Sequence, residues 1–469
     1  MTLKWRMTEA HEALPTPPIP IWIYVFLYGA IEIAAIIVTV SAWPQGEPTM
    51  TPRFWGNVLL LPLLIWIAFC GALYSSSYEE EHYAGLWWNF LLRERTARWK
   101  NWARAHLVLL DSVALTPEDE LAERMLGLEG TPPQHPDKLL MLSGIAPAAG
   151  QTRLEQVVER MLATLAPSLM RLSDASTFEV MLITDTEADT VEVLRAWRKL
   201  SLPGTPKVRW LAHADDSPMI EAWFETGPPA HYWLVLACQL HSGPDAGTPS
   251  CSEAAAALLL STSAVLQRSR QPLKPQAYLF RPIHAESDAM EDALSTLLMA
   301  GQVPSAKIRH YWHSRLGKAM RHAGTSAMQE AGLQVATHDL DHAMGKPGPI
   351  NGWLLYALAA RMVRHGQGAQ LVATACRNGG ALGIVGAHPG EHASEPCENA
   401  YLFSGAWAVA VAALVILITI LKSRGAEGGS EAWYWLLLTG FILTIPARVA
   451  INAWTRKRAT ERFDSLYFG

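Results

Sequence analysis

The stretch Cys251-Ser252-Glu253-Ala254-Ala255-Ala256-Ala257-Leu258-Leu259-Leu260-Ser261 lies near the middle of the chain's only long water-soluble region. By propensity alone, four alanines followed by three leucines read as helix, because Ala and Leu are the best helix formers. The run is apolar all round, however, and is bracketed by Gly243-Pro244-Asp245-Ala246-Gly247-Thr248-Pro249 on one side and a Ser/Thr cluster on the other. A short strand buried on both faces fits equally well. Periodicity does not separate the two.

The wording of the stretch does. Ser-Glu-small-Ala-Ala-Ala-Leu-Leu-Leu resembles the Ser-Glu-Gly-Ala-Ala-Ala-Leu-Leu segment of β-ketoacyl synthases, in the thiolase-like superfamily, where it forms a central strand of the first half-domain. The residues downstream keep that family's order. Arg268-Ser269-Arg270-Gln271-Pro272-Leu273 leads to a strand-like Gln276 to Arg281, then to an amphipathic helix from Met290 to Ala300 ending at Gly301. Lys307 to His313, a further helix, and Asp339-Leu340-Asp341-His342-Ala343-Met344-Gly345 come next. A long apolar helix from Gly352 to Val363 ends in Arg364-His365-Gly366, and Asn378 to Val385 is similar to the family's closing glycine-rich strand. Upstream, helical Leu154 to Leu172, strand-like Phe178 to Thr184, helical Ala188 to Leu200, strand-like Val208 to Ala212 and the apolar Tyr232 to Cys238 alternate as in an α/β fold with a mostly parallel sheet. The resemblance spans roughly residues 154 to 388 and implies two sheet-bearing halves stacked around buried helices.

Composition sets the outer limits. A chain of 469 residues has room for a large core. A formal net charge of -5 excludes a strongly basic nucleic-acid binder. Half the residues are hydrophobic and 19 are tryptophan, which fits a membrane protein with a substantial soluble part. Cysteines at 70, 238, 251, 376 and 397 form no CxxC pair and no disulfide framework, so a reducing compartment is expected.

Ile19 to Ala42 is apolar except for Glu32 and exceeds the ~20 residues a spanning helix needs. Trp22 and Trp43 stand near its ends, and a second span runs from about Phe54 to Tyr74. Two more occupy roughly Tyr401 to Leu421 and Ala432 to Ala450. Glu32 reads as a protonated or helix-paired carboxyl in a packed bundle, with an ion pathway as the alternative. Arg93, Arg95, Arg98, Lys100 and Arg104 follow the second span, and Arg456, Lys457, Arg458 and Arg462 follow the last. This bias places both termini and the soluble domain in the cytoplasm of a bacterial inner-membrane protein. The expected organisation is a transmembrane hairpin over 1–78, an amphipathic juxtamembrane helix and linker over 79–150, an α/β thiolase-like domain over 151–398, and a second hairpin with a basic tail over 399–469. The fold class is therefore an α/β thiolase-like cytoplasmic domain flanked by two pairs of transmembrane α-helices. In the juxtamembrane helix, Trp88, Leu91, Leu92, Arg95, Trp99 and Trp102 share one face suited to lipid headgroups or to the underside of the soluble domain. Thr116 is expected to cap a short acidic helix opening at Pro117.

The chemistry departs from the resemblance. Condensing enzymes of this family use a nucleophilic Cys at the tip of a buried helix, where the helix terminus lowers the thiol's pKa, together with two histidines or a His and an Asn. The corresponding window, Leu194 to Ala214, holds no cysteine. Cys238 and Cys251 read as buried, inert thiols. His313 takes the place of the family's His-Gly-Thr-Gly-Thr loop but is followed by Ser314-Arg315-Leu316, and His342 stands where the second histidine would be, ahead of Gly345 and Gly348. Both read as vestigial. His310, His313, His338 and His342 match no standard zinc spacing. Asp185-Thr186-Glu187 and Asp215-Asp216 read as loop and cap residues, and there is no Gly-x-Ser-x-Gly elbow, P-loop or dinucleotide fingerprint. The expectation is a pseudoenzyme without cofactor or metal, contacting membrane lipids and a protein partner of a membrane or secretion system, type VI secretion included, and able to pair as a homodimer. The alternative is a membrane-bound acyltransferase or condensing enzyme acting on acyl thioesters.

Overall fold

The computed structural model describes the chain apart from residues 1–2, 8–10, 146–149, 173–177, 213–215, 242–248, 269–272, 378, 398–404, 426–431 and 468–469. The turn expected at 243–248, the Ser269 to Pro272 link, Asp215, Asn378 and the start of the third span at Tyr401 lie outside the described residues. The chain divides into two compact units, one of Met1–Arg6 with Trp99–Ala393 and the other of Met7–Arg98 with Ser394–Gly469.

In chain order the principal helices are α1 (Ile21–Ser41), α2 (Pro52–Ala103), α3 (Arg153–Met170), α4 (Thr190–Lys199), α5 (Asp216–Thr226), α6 (Met290–Ala300), α7 (Lys318–Glu330), α8 (Leu340–Met344), α9 (Asn351–Arg364), α10 (Gly405–Gly425) and α11 (Ala432–Tyr467). The strands are β1 (His106–Leu115), β2 (Phe178–Thr184), β3 (Lys207–Ala212), β4 (Tyr232–Gln239), β5 (Ala254–Ser261), β6 (Ala277–Phe280), β7 (Ile283–Ala285), β8 (Ile308–Ser314), β9 (Ala336–Asp339), β10 (Ala369–Cys376) and β11 (Gly379–Gly386).

The alanine-leucine run is β5, buried along its whole length. Its residues face apolar side chains on both sides of the sheet, which removes any polar alternation and explains why period alone does not identify it. It lies antiparallel between β4 and β1, with Leu258 opposite Val235 on one side and Ser112 on the other.

The sheet order is β3-β2-β4-β5-β1-β6-β11-β10-β8-β9, with β7 on β11. It contains the same arrangement twice. Ranked by chain order within each half, both read third, second, fourth, fifth, first: β3-β2-β4-β5-β1 and β9-β8-β10-β11-β6. In each, the second strand is parallel to its two neighbours and the fifth is antiparallel to both of its own. The halves join where β1 and β6 pair antiparallel, His106 opposite Phe280 and Leu109 opposite Ala277. No repeat is visible in the sequence because the equivalence lies in strand order.

Three apolar clusters make five layers of this unit. The inner faces of both halves close on α9 and α5. The outer face of the first half packs α3 and α4, and that of the second packs α6 and α7. All of α9 is buried except Arg361 and Arg364, as befits a helix that is mostly apolar on every face. Each Leu closed into these clusters contributes roughly 1.5–3 kcal/mol.

β1 corrects the sequence reading. The sequence predicts helix and linker over 79–150, yet His106–Leu115 is the strand on which the halves meet, and Pro117 to Glu120 precedes rather than opens the short helix Leu121–Met125. Leu107 to Leu110 is buried on both faces, so it offers no alternation, and the Trp-rich helix before it masks its start.

The other unit holds α1, most of α2, α10 and α11. Among the described residues two helices, α1 and α2, are long and apolar enough to cross a membrane. α1 has only Thr39 buried among its residues. α2 and α10 cross closely at Gly71, where a Cβ would come within 2.6 Å of the Ala410 Cβ and the Ala406 carbonyl; small residues permit that approach between apolar helices. Glu32 has one buried carboxylate oxygen without a hydrogen-bond partner. Glu79, at the end of the π-helical turn Tyr74–Glu79, accepts hydrogen bonds from Ser75 Oγ at 3.1 Å and from Arg448 at 3.0 Å. α11 continues helical past the expected span, and its basic tail faces α2: Arg456 meets Tyr83, Thr460 accepts from Trp87 Nε1 at 3.0 Å, and Phe463 lies 5.1 Å from the Trp88 ring.

Candidate functional site

In α/β sheets the carboxyl ends of parallel strands are where ligands bind. At that end of this unit, α5 follows β3, and α8 with the amino end of α9 follows β9. The amino end of α5 is buried, although the helix as a whole is not, with Pro218, Ala222 and Glu225 exposed. That tip carries Asp216-Ser217, 2% and 1% exposed, just past the window that the resemblance marks for a cysteine. Asp216 reads in the sequence as a loop or cap residue; it is instead a buried group of the central layer.

The Asp216 carboxylate lies against Gly352 in the first turn of α9, where any Cβ would collide with it. Thr374 Oγ1 on β10 donates to its Oδ2 at 3.1 Å. The phenol of Tyr356, one turn along α9, has its pKa raised by burial and then by the negative charge of Asp216. Lack of a side chain at 352 is what lets a carboxylate occupy this place.

Beside it a polar chain passes from one half to the other. Gln239 donates to the Ser252 carbonyl at 2.7 Å and to Asn351 Oδ1 at 3.2 Å, and its own Oε1 accepts from Ile350 N at 3.2 Å. Asn351 Nδ2 donates to Ser314 Oγ at 3.0 Å, and Ser314 Oγ donates to Asp341, whose second oxygen accepts from Arg315 N at 2.7 Å. Burial raises the Asp341 carboxyl. The glycines after His342 serve this packing: a Cβ on Gly348 would strike the Gln239 amide, and one on Gly345, at φ 87°, would strike the Lys138 carbonyl. The chain is fully paired, which fixes the two halves and offers no free base.

Ser217 Oγ lies 3.3 Å from His284 Nε2, and the same nitrogen lies 2.9 Å from Glu221 Oε2. The hydrogen bond from His284 holds Glu221 below the usual carboxylate range, against burial. An imidazole that donates through Nε2 to Glu221 has no lone pair there, so Ser217 gains a base only when His284 releases Glu221.

The sequence-identified histidines do not meet at this place. β8 alternates, so Trp312 and Ser314 face the central layer whereas Tyr311 belongs to the outer cluster with α7. His313 shares Tyr311's face, its Nδ1 buried without a hydrogen-bond partner and 3.9 Å from Asp339 Oδ1, which Arg321 pairs at 3.1 Å. Burial depresses its pKa. His342 is exposed on α8. His310 Nδ1 and His338 Nε2 are 3.0 Å apart, and no group of three His, Cys, Asp or Glu side chains suited to a metal occurs among the described residues.

Cys238 is 3% exposed on β4 and Cys251 is half-buried; burial pushes both thiols up, away from the thiolate form. Of the face expected at a membrane surface, Trp99 is 3% exposed and donates to the Lys4 carbonyl at 3.2 Å. Trp102 packs 5.3 Å from Trp5 and under the Arg281 guanidinium at 4.3 Å. Trp88 lies on Phe463, and Arg95 lies 4.4 Å above Tyr467. These four side chains pack within the chain, the first two on the amino-terminal segment and Arg281 and the other two on the carboxyl-terminal helix.

No protein-family model and no curated protein matches the chain. Solved structures similar to it include a type II polyketide ketosynthase in complex with its acyl-carrier protein (11% identity, 60% of this chain and 99% of that one, TM-score 0.42). A β-ketoacyl synthase from Burkholderia phymatum gives 12% identity, 60% and 98% coverage, and TM-score 0.39. The peroxisomal 3-ketoacyl-CoA thiolase of Saccharomyces cerevisiae, described as five-layered with two core domains of identical topology, gives 11%, 60%, 98% and 0.39. This is a thiolase-like, β-ketoacyl-synthase-like likeness of fold alone.

Proposed function

We propose that this chain is a membrane-anchored protein whose α/β unit is a non-catalytic scaffold, an accessory component of a membrane-bound assembly. The observation that carries the reading is the tip of α5, where a buried carboxylate packed on Gly352 stands in place of a reactive thiol. A carboxylate there forms no acyl thioester, and it fills the space beside Gly352. His313, turned to the outer face, and exposed His342 add to the case. Anchoring is supported by the apolar, outward-facing α1 and the apolar start of α2, and by apolar stretches in α10 and α11 that would make a second pair of spans. Basic residues following the second and last spans favour a cytoplasmic soluble unit at a bacterial inner membrane.

One contact favours a second reading. Ser217, at a helix amino terminus beside His284, is the group an acyltransferase would use. The two readings separate in a decarboxylation assay with a malonyl thioester. The scaffold reading expects carbon dioxide release no faster than in buffer, unchanged in Ser217→Ala. Release that requires Ser217 would replace it with the enzymatic one.

A further inference from the structure

The amino ends of β8, β9 and β10 border a cleft of about 1070 Å³, at the opposite end of these strands from Asp216 and Ser217. Its wall includes Arg104, Lys307, Arg309, His310 and His388, against one carboxylate, Glu391. Lys307 and Arg309 are exposed, and neither is ion-paired among the described residues. Arg104 is held in place by its own hydrogen bonds, Nε to the Ala300 carbonyl and Nη1 to the Glu391 carbonyl, each 2.8 Å. Its remaining Nη2 lies over Gly301, 2.9 Å from where a Cβ would stand, and makes no hydrogen bond among the described residues. The arginine is thus positioned in advance by backbone and keeps a donor in hand.

A further wall residue, Gln302, is 3% exposed. Its amide nitrogen is committed to the Ala103 and Arg281 carbonyls at 2.7 and 2.9 Å, which fixes the orientation of the amide and leaves Oε1 buried without a donor. Those two bonds hold this part of the wall in place.

We infer that this cleft binds a phosphate ester. Convergent cations without acidic partners attract an oxyanion, and a guanidinium with a free N–H supplies a charge-assisted hydrogen bond to it. The same chemistry could come from a soluble phosphomonoester or from an anionic lipid headgroup. The full chain in neutral detergent is titrated with glycerol 3-phosphate by calorimetry, and its retention of phosphatidylglycerol against phosphatidylcholine is measured by native mass spectrometry. The same is done for the Lys307→Gln/Arg309→Gln variant, whose altered side chains are exposed and leave the core intact. Binding of either phosphate ester, weakened about tenfold or more in the variant, is expected; the ester that binds more tightly identifies the source. Absence of binding for both probes, or equal affinity in wild type and variant, overturns the assignment.

Discussion

The Asp216 carboxylate fills the space that a side chain at position 352 would need, so the buried tip of one helix is locked into the first turn of another. α5 belongs to the first half of the duplicated sheet and α9 to the second. The contact is therefore a joint between the halves.

Gly352→Ala should destabilise the protein by about 1–3 kcal/mol, the usual cost of overpacking a filled core. Asp216→Ala in the same chain should recover part of that loss, since it removes the atoms the new methyl strikes. A double-mutant cycle on the thermal or denaturant midpoint checks this; strictly additive effects would show that the two residues do not share the space.

Glu253, the acidic residue of the Ser-Glu pair, is fully buried. It is paired with Arg153 at 2.5 Å and accepts from Leu142 N at 2.8 Å and His241 N at 2.9 Å. Burial alone would raise its carboxyl, but Arg153 and the two N–H groups outweigh burial and hold it below the usual range. Its contribution is present above the unfolded carboxylate value of about 4.3 and is lost as pH falls through the lower folded value. Glu253→Gln, which leaves Arg153 unpaired, should cost about 3–5 kcal/mol at neutral pH, read from the denaturant midpoint.

His338 lies 3.0 Å from His310 and 4.7 Å from the Trp312 ring, and burial followed by the neighbouring His310 lowers its pKa from 6.5 to about 4. Below pH 6.5 the unfolded chain takes up a proton that the folded one refuses. Stability should therefore fall as pH drops from 6.5 to about 4, by up to about 3 kcal/mol. A His338→Phe variant should show a flatter dependence across that window, and titration of the His338 ring resonances should give the low midpoint directly.

Arg448 and Glu79 form a largely buried pair, with side chains 9% and 19% exposed. Removing one partner strands the other charge. Arg448→Met alone should lower the melting temperature in detergent more than Arg448→Met combined with Glu79→Gln. Equal losses would mean that the pair contributes by packing alone.

Much of the α/β unit is legible in the sequence where residues alternate or where wording is specific. Phe178–Thr184 and Met290–Ala300 have the bounds expected of them, and the Ser-Glu opening identifies β5 although its period is silent. β1 escapes because a strand buried on both faces carries no alternation. The site is harder to read. A search for cysteine passes over Asp216-Ser217, and chain order places His313 without telling the two faces of a strand apart; one residue's shift moves a side chain from the central layer to the outer one. The signal that points to Asp216 is its pairing with a glycine in the first turn of a helix buried except at Arg361 and Arg364.

Intact-mass spectrometry of the full chain after incubation with an excess of acyl-coenzyme A tests the loss of the nucleophile most directly. The expected spectrum shows the unmodified mass alone, with Ser217, Cys238 and Cys251 recovered free on peptide mapping. An acyl adduct mapped to Ser217 or to either cysteine would contradict it.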